Sequence, residues 1–119
     1  MVIKPLITVV ETPTFLKQAK SLMAESTRVK IIAAIAKNPE LGDFIVGTGG
    51  ARKWRYARPG SGKSGGLRVI HFYHDDTVPA FALGVFAKSE KINLTHAERN
   101  QMKKNLSDLV ETYKQGVKK

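Results

Sequence analysis

Residues 47–68 read GTGGARKWRYARPGSGKSGGLR, and two incompatible folds compete for them. Inside the run, residues 57–64 (ARPGSGKS) satisfy a relaxed phosphate-binding loop pattern with alanine in the first glycine position. That motif works between a buried strand and a helix N-terminus, whose backbone N–H groups cradle the phosphate. Here the preceding segment, 51–57, alternates instead. Arg52, Trp54 and Tyr56 fall on one side and Lys53 and Arg55 on the other, the pattern of a strand covered on one face. The following segment, 67–73, is an almost continuous apolar run broken by Arg68, which predicts a central strand and no helix. No predicted strand ends in an acid suited to holding magnesium. Residues 58–66 are therefore a long hairpin connection, and the nucleotide-loop match is a decoy.

The same stretch carries Arg52, Lys53, Arg55, Arg58, Lys63 and Arg68 without one acidic residue, and the acid-free zone extends over 44–74. Such a density of positive charge repels itself unless a polyanion relieves it. The flanking glycines permit a phosphate to come close to the backbone. The whole chain points the same way: 119 residues, 42% hydrophobic, net charge +10. That length suits one domain over 1–119 with one modest core. The charge suits nucleic acid or an anionic membrane surface. Membrane is the weaker option, because no apolar run approaches ~20 residues and the N-terminus lacks a signal peptide's features. The absence of cysteine excludes disulfides, thiolate nucleophiles and cysteine zinc sites, and fits a cytoplasmic protein.

Outward from the basic stretch, residues 6–10 predict a first strand. Thr12-Pro13 then opens a helix with Phe15, Ala19 and Leu22 at helical spacing and Leu16 and Met23 widening the stripe. Ser26 caps a second helix with Val29, Ile32, Ala33 and Ala36 on its apolar face, ended by Asn38-Pro39. Residues 41–50 read as a glycine-rich loop. Beyond the central strand, Asp75-Asp76 turns the chain into a strand over 80–87. Thr95 and Glu98 make a capping box for a C-terminal helix with Met102, Leu106, Leu109, Val110 and Tyr113 on one face. The order is β-α-α-β-β-β-α: an α+β domain in which an antiparallel meander carries an N-terminal helical hairpin and a C-terminal helix.

In such a meander, neighbouring strands bring side chains to one face. Lys53, Arg55 and Arg68, with Lys88 and Lys91 just past the last strand, then form a compact cationic site. A charge run is equally what a solvated face or an acidic-protein dock looks like. An arginine in an apolar strand favours a cleft, because burying it without a partner costs several kcal/mol. His71 and His74, three apart on a strand, face opposite sides and do not converge on a metal; His71 reads as a half-buried strand residue. Phe86 reads equally as a base-stacking ring or as core.

The runs GTGGARKWRYARPGSGKSGGLRVIHFYH and FALGVFAKSEKINLT resemble the RelE superfamily of bacterial toxins in type II toxin–antitoxin modules, and within it the HigB-like branch. The resemblance covers 42–95 well and implies a ribosome-dependent mRNA endoribonuclease acting in the ribosomal A site. In that chemistry the RNA 2′-hydroxyl attacks the adjacent phosphate with no metal or other cofactor, and a cognate antitoxin neutralises the toxin. It implies phosphate positioning by Lys53 and Arg55, a scissile-phosphate contact for Arg68, and proton transfer by Lys88 or Lys91. Arg52, Arg58, Lys63 and Phe86 are candidates for RNA contacts. Some members carry a catalytic tyrosine just after the last basic cluster; this chain has Leu94 and Thr95 there. The alternatives are a gyrase-inhibiting toxin of the ParE kind and a non-catalytic RNA- or ribosome-binding domain.

Overall fold

The structure, a computed structural model, describes residues 6–57, 66–87 and 94–117. Its elements run β1 (Val9–Glu11), α1 (Pro13–Leu22), α2 (Glu25–Lys37), β2 (Asp43–Phe44), β3 (Ala51–Tyr56), β4 (Leu67–Phe72), β5 (Ala80–Ala87) and α3 (His96–Val117). The fold is α+β. One five-stranded sheet, ordered β1-β5-β4-β3-β2, has α1 and α2 on one face and α3 on the other.

β4 holds the centre of the sheet, as its near-continuous apolar run requires. Leu67 and Val69 pack with Phe15, Ala19, Ile31 and Ile35 of the two N-terminal helices. Ile70 and Phe72 pack with Phe81, Leu106 and Val110 on the α3 side. Each of the larger of these side chains taken out of water contributes about 1.5–3 kcal/mol. The flanking strands β3 and β5 are antiparallel to β4, so the predicted meander is present. β1 differs, pairing parallel to β5 and making the sheet mixed. The first strand also starts later than its β-branched run suggests, at Val9.

Local chemistry fastens the helices. Thr12 caps α1, its Oγ1 accepting from the Phe15 N–H at 3.3 Å, and the same hydroxyl donates to the Ala82 carbonyl at 2.8 Å. One residue thereby ends β1, starts α1 and ties both to β5. In β5 the register slips, with Ile70 opposite Gly84 but His71 opposite Ala82, so Leu83 is an extra residue. The neighbouring Val85 N–H is satisfied by Gln18 Oε1 of α1 at 2.9 Å. At the other end of the chain, Thr95 and Glu98 close a reciprocal capping box, both bonds 3.1 Å. Met102, Leu106, Leu109, Val110 and Tyr113 all turn to the sheet, as their spacing predicts. Among the described residues no helix is long and apolar enough to cross a membrane.

Three expectations for the N-terminal half need correction. Ala24, not Ser26, occupies the cap position of α2, without a side-chain cap; Glu25 in the first turn complements the helix dipole instead. The buried stripe of α2 is Ile31 and Ile35, while Val29 is exposed. The two isoleucines set the rotation, each worth about 1.5–3 kcal/mol when buried, and Arg28 on the same side of α2 bridges to Glu11 of β1 as well as to Glu25. Finally, the loop 41–50 contains β2, paired antiparallel to β3 with Asp43 opposite Lys53 and Phe44 opposite Arg52. Gly42 makes that approach possible. Its φ of +91° is a left-handed value, and a Cβ there would stand 2.5 Å from the Lys53 carbonyl oxygen.

Candidate active site

Strand register decides which cations meet. Arg55 lies directly opposite Arg68, and Arg68 directly opposite Phe86, a row across β3, β4 and β5. The adjacent row places Lys53 opposite Ile70. Directly opposed residues share a face, and this is the face that carries α3. The helix covers the Ala51, Phe72 and Phe81 end of the strands. At the other end Lys53 and Arg55 are exposed, and Arg68 and Phe86 are half-buried. Among the described residues, the outcome is a cationic end that α3 leaves uncovered on an otherwise apolar face. Like charges directly opposite destabilise a sheet, and an anion between the guanidiniums would reverse the sign of that interaction.

Gly66 contributes space. A Cβ at that position would stand 2.8 Å from Arg55 Nε, so the arginine's side chain lies across a bare backbone. Phe86 packs against the edge of the α3-side core, as a half-buried ring rather than a free one.

Arg52 stands apart from this group. It projects from the opposite face of β3, where its Nη1 donates to the carbonyls of Glu40 at 2.8 Å and Gly42 at 3.3 Å. Its guanidinium lies 4.0 Å from the centroid of Phe44. These contacts anchor the segment leading into β2. Trp54 and Tyr56 also occupy that face and pack against the α1–α2 core, as the alternation predicts.

His71 is completely buried, where the sequence suggested half burial. Trp54 Nε1–H donates to His71 Nδ1 at 2.9 Å, which leaves Nε2 to donate to the Pro39 carbonyl at 2.7 Å. Burial lowers its pKa, assisted by the nearby Arg52 charge and opposed by the Pro39 hydrogen bond. The imidazole is thus a neutral cross-brace between β3, β4 and the segment that follows α2. His74 is exposed, beside Asp75 at 3.3 Å.

Arg58, Lys63, Lys88 and Lys91 lie outside the described residues, as does nearly all of the glycine-rich connection at 58–66. Its flanks are β3 and β4, both strands. A phosphate-binding loop would require a helix after it. In the position of the absent tyrosine, Thr95 is committed to the α3 cap and Leu94 packs against the α3-side core. Tyr73 offers no substitute. It packs against the α1–α2 core, and its hydroxyl donates to Asp76 at 2.5 Å, which pushes its pKa up to about 12.

One residue on the cationic face escaped sequence reasoning. Asp43 is opposite Lys53 at the sheet's edge. A two-residue strand has too little alternation to be seen in a sequence.

The fold agrees with a comparison with known protein families. The family model described as "RelE toxin of RelE / RelB toxin-antitoxin system" matches residues 7–119. That span takes in every strand and helix of the fold together with the cationic rows. The chain belongs to the RelE toxin family of toxin–antitoxin systems.

Proposed function

We propose that this toxin is a ribosome-dependent mRNA endoribonuclease that inhibits translation in the cytoplasm and is neutralised by a cognate antitoxin. The observation that carries the reading is the Arg55–Arg68 row beside Lys53, at the uncovered end of a helix-packed sheet face. Attack of a 2′-oxygen on the adjacent phosphate builds negative charge on the non-bridging oxygens. Guanidiniums stabilise that charge with paired N–H donors. Arg68, anchored in the central strand, is assigned to the scissile phosphate. The exposed Lys53 and Arg55 position the flanking backbone, with Phe86 at the end of the row beside the base. Lys88 and Lys91 follow β5 in the chain and are assigned to protonating the leaving oxygen. Arg58 and Lys63, in the connection between β3 and β4, add contacts to the RNA or ribosome. The AKSEKINL motif after β5 supports the HigB-like branch.

Primer extension on programmed ribosomes, with and without EDTA, tests this function. The expected result is cutting of ribosome-bound mRNA, poor cutting of naked RNA and indifference to EDTA. Equal cutting of free RNA, abolition by EDTA, or DNA damage in place of mRNA fragmentation on expression would overturn it.

A further inference from the structure

The acid-free run of the sequence begins one residue after Asp43, and the fold carries that last acid back to the cationic face. Across β2 and β3 it stands directly opposite Lys53, one row from Arg55 and Arg68. Opposed residues in an antiparallel pair have Cβ atoms about 4.5–5.5 Å apart on the same side of the sheet. Phe44 and Arg52 confirm the register from the other side, since they too are opposed and meet ring to guanidinium. Asp43 is exposed, and among the described residues no hydrogen bond or ion pair engages its carboxylate. Gly42 is needed to bring it there, because any side chain at that position would collide with Lys53 backbone.

Among the described residues of the cationic rows, no other side chain is ordinarily in its basic form at neutral pH. Lysine and arginine side chains are ordinarily protonated there, and a carboxylate ordinarily is not. Among the described strand residues of this face, Asp43 is the carboxylate. Strands are ~4.8 Å apart and rise ~3.4 Å per residue, so Asp43 and Arg68 are separated by ~12 Å between backbones. A ribose and its 3′-phosphate fit that gap with the phosphate toward the arginine and the 2′-hydroxyl toward the carboxylate.

We propose that Asp43 is the proton acceptor for the attacking 2′-hydroxyl, an assignment that rests on the nuclease reading above. The 2′-oxygen bonds to phosphorus as its proton passes to Asp43. The P–O5′ bond breaks, and the departing oxygen takes a proton from a protonated cation of the site. The products are a 2′,3′-cyclic phosphate and a 5′-hydroxyl, with no oxidant, metal or co-reactant needed. Among the described residues, the charged groups the sheet register brings nearest Asp43 on this face are Lys53 opposite, then Arg55 and Arg68 one row along. Arg99 of α3 reaches the same β2–β3 connection, its Nη1 donating to the Val46 carbonyl at 2.8 Å.

The test is single-turnover cleavage of ribosome-bound mRNA by the full chain, the variant Asp43→Asn and the variant Asp43→Ala, between about pH 6 and 8, a range above the usual aspartate pKa. The wild-type rate should be nearly level on the acidic side. Asp43→Asn should fall by about 10²–10⁴-fold and recover about tenfold per pH unit, as hydroxide replaces the carboxylate. Asp43→Ala should be partly rescued by added formate. Ribosome binding should not weaken, because the lost charge repels RNA. Wild-type rates in Asp43→Asn would overturn the assignment. So would a uniform loss with an unchanged pH profile and no formate rescue, which would make Asp43 a prop for Lys53. A wild-type protein that leaves ribosome-bound mRNA intact would instead overturn the nuclease reading itself.

Discussion

Arg55 and Arg68 face each other directly across the β3–β4 ladder, where a sheet ordinarily pairs unlike or apolar side chains. Like charges so placed repel each other, and a phosphate between them would be attracted to both. Function and stability therefore pull in opposite directions at this position.

Arg68→Ala separates the two. It should cut ribosome-bound mRNA about 10²–10³-fold more slowly, the loss expected on removing one donor to a transition-state oxyanion. Its stability should hold or rise, because a like-charge contact disappears and no core cavity opens. Arg68→Lys should recover activity only in part, lacking the bidentate fork. Single-turnover rates with urea unfolding check this, and wild-type rates or a failure to fold would refute it.

Gly66→Ala should damage the site without touching a charged residue. Its methyl group would meet Arg55 Nε at 2.8 Å, so the arginine must move aside. Displacement on the order of 1 Å costs up to about 10²-fold in rate. The melting temperature should hardly change, since a flexible side chain and no backbone has to give way. An unchanged rate would mean that Arg55 does not need its present position.

His71 makes stability depend on pH. Its folded pKa is lowered by burial, so below about pH 6.5 the unfolded chain takes up a proton that the folded one refuses. Stability is full above that pH and falls as pH drops toward the folded pKa, by up to about 1.4 kcal/mol per pH unit. Glu98 and Asp75, held below their ordinary values by hydrogen bonds from Thr95 and Thr77, act at lower pH. His71→Gln should flatten the upper window while costing about 1–3 kcal/mol at neutral pH through the broken Trp54 and Pro39 bonds. Fluorescence of Trp54, the one tryptophan, reports both, and an unaltered acid slope would refute the assignment.

Thr95→Ala should cost about 1 kcal/mol by opening the capping box. The effect should appear in global unfolding and not as local fraying alone, because α3 buries Leu106 and Val110 against the sheet. Urea denaturation checks this; no change in the midpoint would show that the first turn contributes nothing.

Much of this protein was legible in the sequence. The alternation of residues 51–56 placed Trp54 and Tyr56 on the helices and Lys53 and Arg55 on the other face, since a strand's period is fixed by backbone geometry. The apolar run around Arg68 declared a central strand, and Thr95 with Glu98 declared the start of α3. These are local signals, carried by residues close in the chain.

Tertiary structure decided what depends on residues far apart in the chain. The pairing of Val9 with Ala80 made β1 parallel to β5, a choice that no periodicity encodes. The exact opposition of Arg55 and Arg68 required a register, which the long connection between them leaves open. His71 looked half-exposed until Trp54 and Pro39 closed over it. Asp43 sat in a glycine-rich loop until Gly42 let that loop pair with β3. Sequence specifies the faces of each element through short-range periodicity; which faces meet, and in what register, is set by long-range packing.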